Sequence, residues 1–342
     1  MKKLLQKIRI LIGNFLIDKN NRFDSSRYAL NKILFLRQDG RIGDYVVSSF
    51  VFRELKKWNP NLKIGLVCTL ENQYLFSQNE YIDQLYLVKK RSIKDYIRCG
   101  LMLRKENYDL IIDPTIFLRN RDLLLLRLIN AKVNIGYQKE GYKLFNQNIP
   151  YSGQHFSQVY ASALDKIGLK NIELQYDVPF NQQAATAISK FLKENHLQNY
   201  IAINFFGNST VRKMHDKNII AHLHRLTDNF PDKKFVLLSY PDINEKLINL
   251  VKTFDNVFVY PTTEIFHTIE LIKYCQQLIS VDTSTIHIAS GFNKSIIGFY
   301  PNDEENFAHW RPMTHSPTHI LFFDKTVNEI MPDKINLEWI IS

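Results

Sequence analysis

Apolar positions along the chain come in two alternating series. Lys32 to Leu36, Lys63 to Cys68, Gln84 to Val88, Asp109 to Asp113 and Lys132 to Tyr137 are short, mostly apolar runs that read as strands buried on both faces. Between them, Tyr45 to Lys57, Ser92 to Lys105 and Asp122 to Ile129 repeat apolar residues every three or four positions, the period of a half-buried helix. The series then restarts. Tyr200 to Asn204, Lys234 to Ser239, Asn256 to Tyr260, Gln277 to Val281 and Ser295 to Tyr300 read as strands. Gln182 to Glu194, Asp216 to Asn229, Ile243 to Lys252, Ile265 to Tyr274 and Thr285 to Gly291 read as helices. Strands alternating with helices indicate parallel sheets covered on both faces, so the expected class is α/β with two Rossmann-like domains in series.

Pro179 and its polar neighbours interrupt the pattern at Asp177 to Asn181. The expected division is therefore an N-terminal domain over 31–178 and a C-terminal domain over 179–330. The tail from 331 to 342 reads as a short amphipathic helix. No solenoid-length repeat is visible. Residues 1–30 open with a basic amphipathic stretch: Leu4, Ile8, Leu11, Ile12 and Phe15 keep helical spacing, with Lys2, Lys3, Lys7 and Arg9 among them. Lys7 and Arg9 break the apolar run that a secretory signal needs, and the stretch falls short of the roughly 20 apolar residues of a membrane span. It reads either as a helix lying on the inner membrane surface or as one packed on the N-terminal domain, the surface helix being preferred.

At 342 residues the chain has room for two cores, and 45% hydrophobic with 23% charged residues is the balance of a folded protein. Cys68, Cys99 and Cys275 have neither metal-ligand spacing nor an even count, which points to reduced core thiols and a cytoplasmic setting. The net charge of +10 favours an anionic partner. With no zinc-finger, ribonucleoprotein or basic-zipper pattern present, nucleic acid is not expected, and a phosphorylated glycolipid or an anionic membrane surface is.

Two strand-to-helix turns carry polar groups. After the strand ending at Leu36, Gly40 and Gly43 permit a tight turn, and Asp44 falls in the first turn of the helix. There it is expected to stay ionised, and so to be a weak base unless burial or a nearby anion raises its pKa. After the strand ending at Val281, Asp282, Thr283, Ser284, Thr285 and His287 lead into a second helix whose N-terminus suits an anion. A hydroxyl there also caps helices without any ligand. The six-residue glycine fingerprint of nicotinamide enzymes is absent.

Taken together, Gly43-Asp44 and Asp282-Thr283-Ser284-Thr285-Ile286-His287, followed by Ile288-Ala289-Ser290-Gly291 and by Lys294 to Pro301, resemble glycosyltransferase family 9, which includes the ADP-heptose:lipopolysaccharide heptosyltransferases. Phe206 to Lys213 resembles that family's donor-phosphate loop. His215-Asp216 stands where members often carry Trp-Pro, and this leaves Arg212 and Lys213 as alternatives for the phosphate cation. The resemblance implies a GT-B enzyme with two domains facing a central cleft. It also implies inverting transfer of a heptose from ADP-heptose to the inner core of lipopolysaccharide or lipooligosaccharide, without metal or resident cofactor.

In that scheme Asp44 is the catalytic base. Arg212 or Lys213, with the turn at Thr283, Ser284 and Thr285, holds the donor phosphates, Asp282 the sugar hydroxyls and Glu264 the ribose, while His287 binds phosphate or orients the loop. Gly43, Arg119 and Arg121 face a phosphorylated, lipid-linked acceptor, so the enzyme is expected peripherally on the inner face of the inner membrane. Another nucleotide sugar serving a different surface glycan, or a nucleotide-binding homologue without activity, is the alternative.

Overall fold

A computed structural model describes residues 13, 15–20 and 29–341. Most of the basic N-terminal stretch therefore lies outside the described residues. The chain divides into two compact units, Met1–Leu174 and Gln175–Ser342, a few residues before the expected boundary.

The first unit holds β1 (Lys32–Leu36), β2 (Lys63–Cys68), β3 (Gln84–Leu87), β4 (Leu110–Asp113), β5 (Val133–Tyr137) and β6 (Gln147–Ile149). They form one sheet in the order β3-β2-β1-β4-β5-β6, parallel throughout. The second unit repeats this plan with β7 (Ile201–Asn204), β8 (Phe235–Leu237), β9 (Val257–Val259), β10 (Gln277–Val281), β11 (Ser295–Pro301) and β12 (Thr318–Phe323). Its order is β12-β11-β10-β7-β8-β9, the same winding read from the other edge. Both sheets thus have the 3-2-1-4-5-6 order of the Rossmann fold, and the expected α/β class is the observed one.

The central strands are buried along almost their whole length, as helices on both faces require. Each unit has its own apolar core. One gathers Leu34, Leu36, Val67, Leu103, Ile111 and Leu126. The other gathers Ile203, Leu223, Phe235, Ile279, Ile297 and Phe299. The three cysteines are buried free thiols.

Three departures from the sequence pattern are physical in origin. The helix expected over Tyr45 to Lys57 is two helices, Ile42–Ser48 and Phe50–Trp58, because Ser49 turns its hydroxyl back onto the Val46 carbonyl at 2.6 Å. Two edge strands add to the expected series: β6, three residues too polar to stand out, is defined by backbone pairing to β5, and β12, whose Ile320 to Phe323 is an apolar run, pairs along β11. The tail is not an α-helix. It makes two 3-10 turns, Pro332–Lys334 and Leu337–Trp339, which pack Ile335 and Ile340 onto the second core. Trp339 stacks on His319 at 4.6 Å, and its carbonyl accepts from Gln277 Nε2 at 2.7 Å. Pro332 and these tertiary contacts override a weak helical period in so short a segment.

Candidate active site

In a sheet of this order, ligands bind beyond the carboxyl ends of the strands where the winding reverses. That point lies between β1 and β4 in the first unit and between β7 and β10 in the second. The two motifs singled out by sequence leave β1 and β10.

The β1 turn is built around a buried cation. Arg37 lies between the rings of Phe76 and Tyr160, 5.5 and 5.9 Å from its guanidinium carbon. Its Nε donates to Asp39 Oδ2 at 2.8 Å, and its Nη1 makes a short bond to Ser48 Oγ. Ser48 Oγ in turn donates to the Asp44 carbonyl at 2.8 Å. Asn72 Nδ2 holds the Arg37 carbonyl at 2.9 Å, and Arg41 N donates to Asp39 Oδ1 at 3.1 Å. Gly40 takes φ +72°, a conformation that side chains resist.

These contacts place Asp44 in the first turn of the Ile42–Ser48 helix, one residue after Gly43. Burial pushes its carboxyl up to about 7, and the Asp39 charge adds to this, while Arg37 and Arg41 pull the other way. Both conditions that make a helix-start acid a usable base are therefore present.

Arg119 and Arg121 lie beyond the carboxyl end of β4, but the structure separates them. Arg119 is exposed, and its backbone N–H bonds to Asp122 Oδ2 at 3.0 Å. Arg121 is largely buried, placed over the Tyr96 ring at 5.3 Å and near Asp122 Oδ1 at 3.5 Å. Only Arg119 presents its side chain to solvent. Beside them stands a buried lysine that the sequence did not mark. Lys139 Nζ donates to the carbonyls of Ile116 at 3.0 Å and Tyr137 at 2.8 Å, and makes a short bond to that of Thr115. Burial lowers its pKa and nearby Asp113 raises it. Lys139 thereby fixes the loop that ends at Arg119.

In the second unit Asn204, at the end of β7, gathers the β10 turn. Its Nδ2 lies 3.2 Å from Ser280 Oγ, 3.0 Å from Thr283 Oγ1 and 3.2 Å from Thr285 Oγ1. Thr285 Oγ1 is 2.7 Å from both Ser280 Oγ and Thr283 Oγ1. The Thr283 hydroxyl is thus drawn inward and makes no capping bond to the first turn of the Ser284–Gly291 helix. Ser284 is partly exposed there.

The structure bears on two expectations for this turn, moving Asp282 from sugar contact to loop anchor and favouring the loop-orienting alternative for His287. Asp282 is buried and already engaged, by Arg212 Nη2 at 2.7 Å and Asn306 Nδ2 at 3.2 Å, so it anchors the loop rather than offering a free carboxylate. His287 is buried against Trp310, with ring centroids 5.6 Å apart, and burial lowers its pKa to about 4. It is neutral at pH 7 and packs the helix rather than giving a phosphate positive charge.

The loop after β7 closes as a hairpin. Phe206 bridges Lys213, and Gly207 N donates to the Arg212 carbonyl at 2.8 Å. A Cβ on Gly207 would stand 2.7 Å from Arg212 Cβ and 3.2 Å from Thr283 Cγ2, so glycine is what lets this loop approach the β10 turn. The alternatives left open by sequence now part. Arg212 is committed to Asp282, whereas the Lys213 ammonium has no hydrogen bond or ion pair among the described residues. Its backbone is held by Asn328 Nδ2, which donates to the Lys213 carbonyl at 3.1 Å. Glu264 is exposed at the N-cap of the Ile265–Tyr274 helix, free of a capping bond. Arg37, Asp39, Asn204 and Asn306 were not singled out from the sequence: Arg37, Asn204 and Asn306 work through partners far along the chain, and Asp39 through its neighbours Arg37 and Arg41. The polar run Arg37-Gln38-Asp39 directly after a buried strand was the one available signal.

The family model of glycosyltransferase family 9 (heptosyltransferase) matches residues 97–332, which contain the Arg119 loop and the whole second-unit site but begin after Asp44. Lipopolysaccharide heptosyltransferase 3 of Escherichia coli is 23% identical over 293 residues, 80% of this chain and 84% of the relative. The solved structure of E. coli ADP-heptose lps heptosyltransferase II matches with a TM-score of 0.67 at 14% identity, over 89% of this chain and 96% of that one. E. coli heptosyltransferase WaaC with ADP matches at 0.65 and 14%, over 88% and 94%. At such identities the structures speak to fold alone.

Proposed function

The chain belongs to glycosyltransferase family 9 and is a glycosyltransferase, and from that premise we propose that it moves a heptose from ADP-heptose to the inner core of a lipopolysaccharide or lipooligosaccharide. The observation that carries the reading is the pairing of chemistries at the two switch points. The first unit offers a carboxylate whose pKa of about 7 suits proton abstraction, and the second an uncommitted lysine beside a hydroxyl-lined helix start. The name of the E. coli relative and the ligand of the WaaC structure support the choice of acceptor class and of an adenine nucleotide.

In this reading the donor sits on the second unit. Lys213 and the amides at Ser284 and Thr285 take the diphosphate, and Glu264 takes the ribose hydroxyls. Arg212, Asn204 and Asp282 hold that surface in shape. The acceptor sits on the first unit, its phosphate near Arg119. Asp44 accepts the proton of the acceptor hydroxyl while its oxygen forms a bond to the anomeric carbon. The bond from that carbon to the diphosphate breaks, both electrons leave with ADP, and the configuration inverts. Positive charge from Lys213 offsets the charge growing on the leaving group, so turnover is expected to survive EDTA.

Donor binding by titration calorimetry tests this. ADP-heptose is expected to bind in preference to UDP, GDP and CMP sugars, and Lys213→Ala to weaken it at least about tenfold, the loss of one charge-assisted phosphate contact. Preference for another nucleotide sugar would keep the chemistry and reject the heptose. No binding of any would reject transfer.

A further inference from the structure

The helix Ile93–Glu106 of the first unit carries an apolar face in each direction. Tyr96, Cys99, Gly100 and Leu103 point inward, and Gly100 lets the helix approach so closely that a Cβ there would lie 2.7 Å from Leu128 Cβ. That face alone fixes the helix to the domain. Ile93, Ile97 and Leu101 follow at four-residue intervals along a second face, and they are 59%, 38% and 47% exposed. Packing inside the unit does not explain large aliphatic side chains in a row facing water.

Charge identifies what covers them. Lys94, Arg98, Arg104 and Lys105 are exposed on the same outward half of the helix. Lys89, Lys90 and Arg91 precede it, all exposed. The helix's two acids are engaged: Asp95 lies 3.3 Å from Arg98 and accepts from Lys89 N at 3.1 Å, and Glu106 lies 3.4 Å from Lys32. An aliphatic strip rimmed by cations is the pattern of a helix that lies in the plane of an anionic membrane surface. A second copy of the chain fits poorly, since two-fold contact would set these cations against one another.

We propose that Ile93–Glu106 is a bilayer-docking surface of the folded domain, seating Ile93, Ile97 and Leu101 among the acyl chains of an anionic leaflet while the neighbouring lysines and arginines meet its headgroups. Its position serves the chemistry. Lys90, three residues before the helix, places Nζ 3.6 Å from where a Gly40 side chain would begin, so the docking surface starts beside the turn that carries Asp44. A lipid-anchored acceptor would then be delivered along the membrane to the base. This surface does not depend on the identity of the donor, and it is separate from the basic N-terminal stretch.

Co-sedimentation of the full chain with vesicles tests it, using phosphatidylcholine alone and phosphatidylcholine mixed with phosphatidylglycerol. The wild type is expected on the anionic vesicles only. Ile97→Ser/Leu101→Ser is expected to bind about tenfold or more weakly, and Lys94→Gln/Lys105→Gln about fivefold more weakly per lysine, the factor set by ~1 kcal/mol per cation near such a surface. All four side chains are exposed, and an unchanged circular dichroism melt verifies that the variants fold. Turnover of a soluble acceptor fragment should be equal in wild type and variants, which separates loss of docking from loss of transfer. Undiminished vesicle binding in both variants would overturn the proposal. So would a wild-type dimer in sedimentation velocity that Ile97→Ser/Leu101→Ser dissolves, because a second copy would then be what covers the strip.

Discussion

Asp44 owes its usefulness to neighbours that hold it against two opposing influences. Burial and Asp39 raise its pKa, Arg37 and Arg41 lower it, and the outcome near 7 leaves a base that is ionised on the alkaline side of neutrality. Asp44→Asn should reduce turnover by about 10²- to 10⁴-fold and leave donor affinity unchanged, as read by rate assays beside calorimetry. Asp39→Asn removes the anion that helps raise the pKa, so the acidic limb of kcat/KM should move to lower pH without loss of the plateau; an unmoved limb would reject Asp39 as the tuning group.

The same shift has a stability consequence. Between the ordinary carboxylate pKa and about 7 the folded state binds the Asp44 proton more tightly than the unfolded chain does. Its contribution therefore declines as pH rises through that window. Asp44→Asn should melt at a higher temperature than wild type at pH 8, and the gap should close as the pH is lowered through the window toward 4. The opposite trend in melting curves would mean that the carboxyl is not held against ionisation.

At the scale of elements, the hairpin after β7 shows how two adjacent cations are given different tasks. Arg212 neutralises buried Asp282, so Arg212→Met leaves an uncompensated charge and should cost on the order of 3 kcal/mol in denaturant unfolding. Lys213→Met removes a cation with no protein partner among the described residues and should leave stability within about 0.5 kcal/mol of wild type while weakening donor binding. Gly207→Ala should act between these, because the added carbon meets Arg212 Cβ at 2.7 Å and pushes the hairpin from the β10 turn. Weaker donor binding with a stability loss between those of Lys213→Met and Arg212→Met is the expected signature. The helix lengths and strand positions behind this hairpin were readable from apolar period. The assignment of Arg212 and Lys213 was not, because it turns on which side chain faces Asp282, a residue of the turn after β10.

At the scale of the molecule, the same 3-2-1-4-5-6 winding occurs in both units, each around its own core. Winding twice in this way yields two switch points, and the proposed transfer assigns one to each of its substrates. Each core is large enough to unfold on its own account. Scanning calorimetry with ADP should therefore raise the midpoint of one transition and leave the other in place. A single transition that shifts as a whole would show that the units unfold together.

By itself the sequence determined that the chain builds two parallel α/β sheets, where their central strands lie, and that Gly43-Asp44 and Asp282 to His287 begin helices after buried strands. These follow from local period and turn chemistry, which act over a few residues and so are written in order along the chain. The tertiary structure alone decided that burial, with Asp39 and Arg37 beside it, shifts the Asp44 carboxyl, that Asn204 ties three hydroxyls of a distant turn together, that Asp282 pairs with Arg212 and His287 packs on Trp310, and that the tail makes 3-10 turns on the second core. Each of these depends on burial and on charges brought close by folding, and such fields are set by distance in space rather than by separation in sequence.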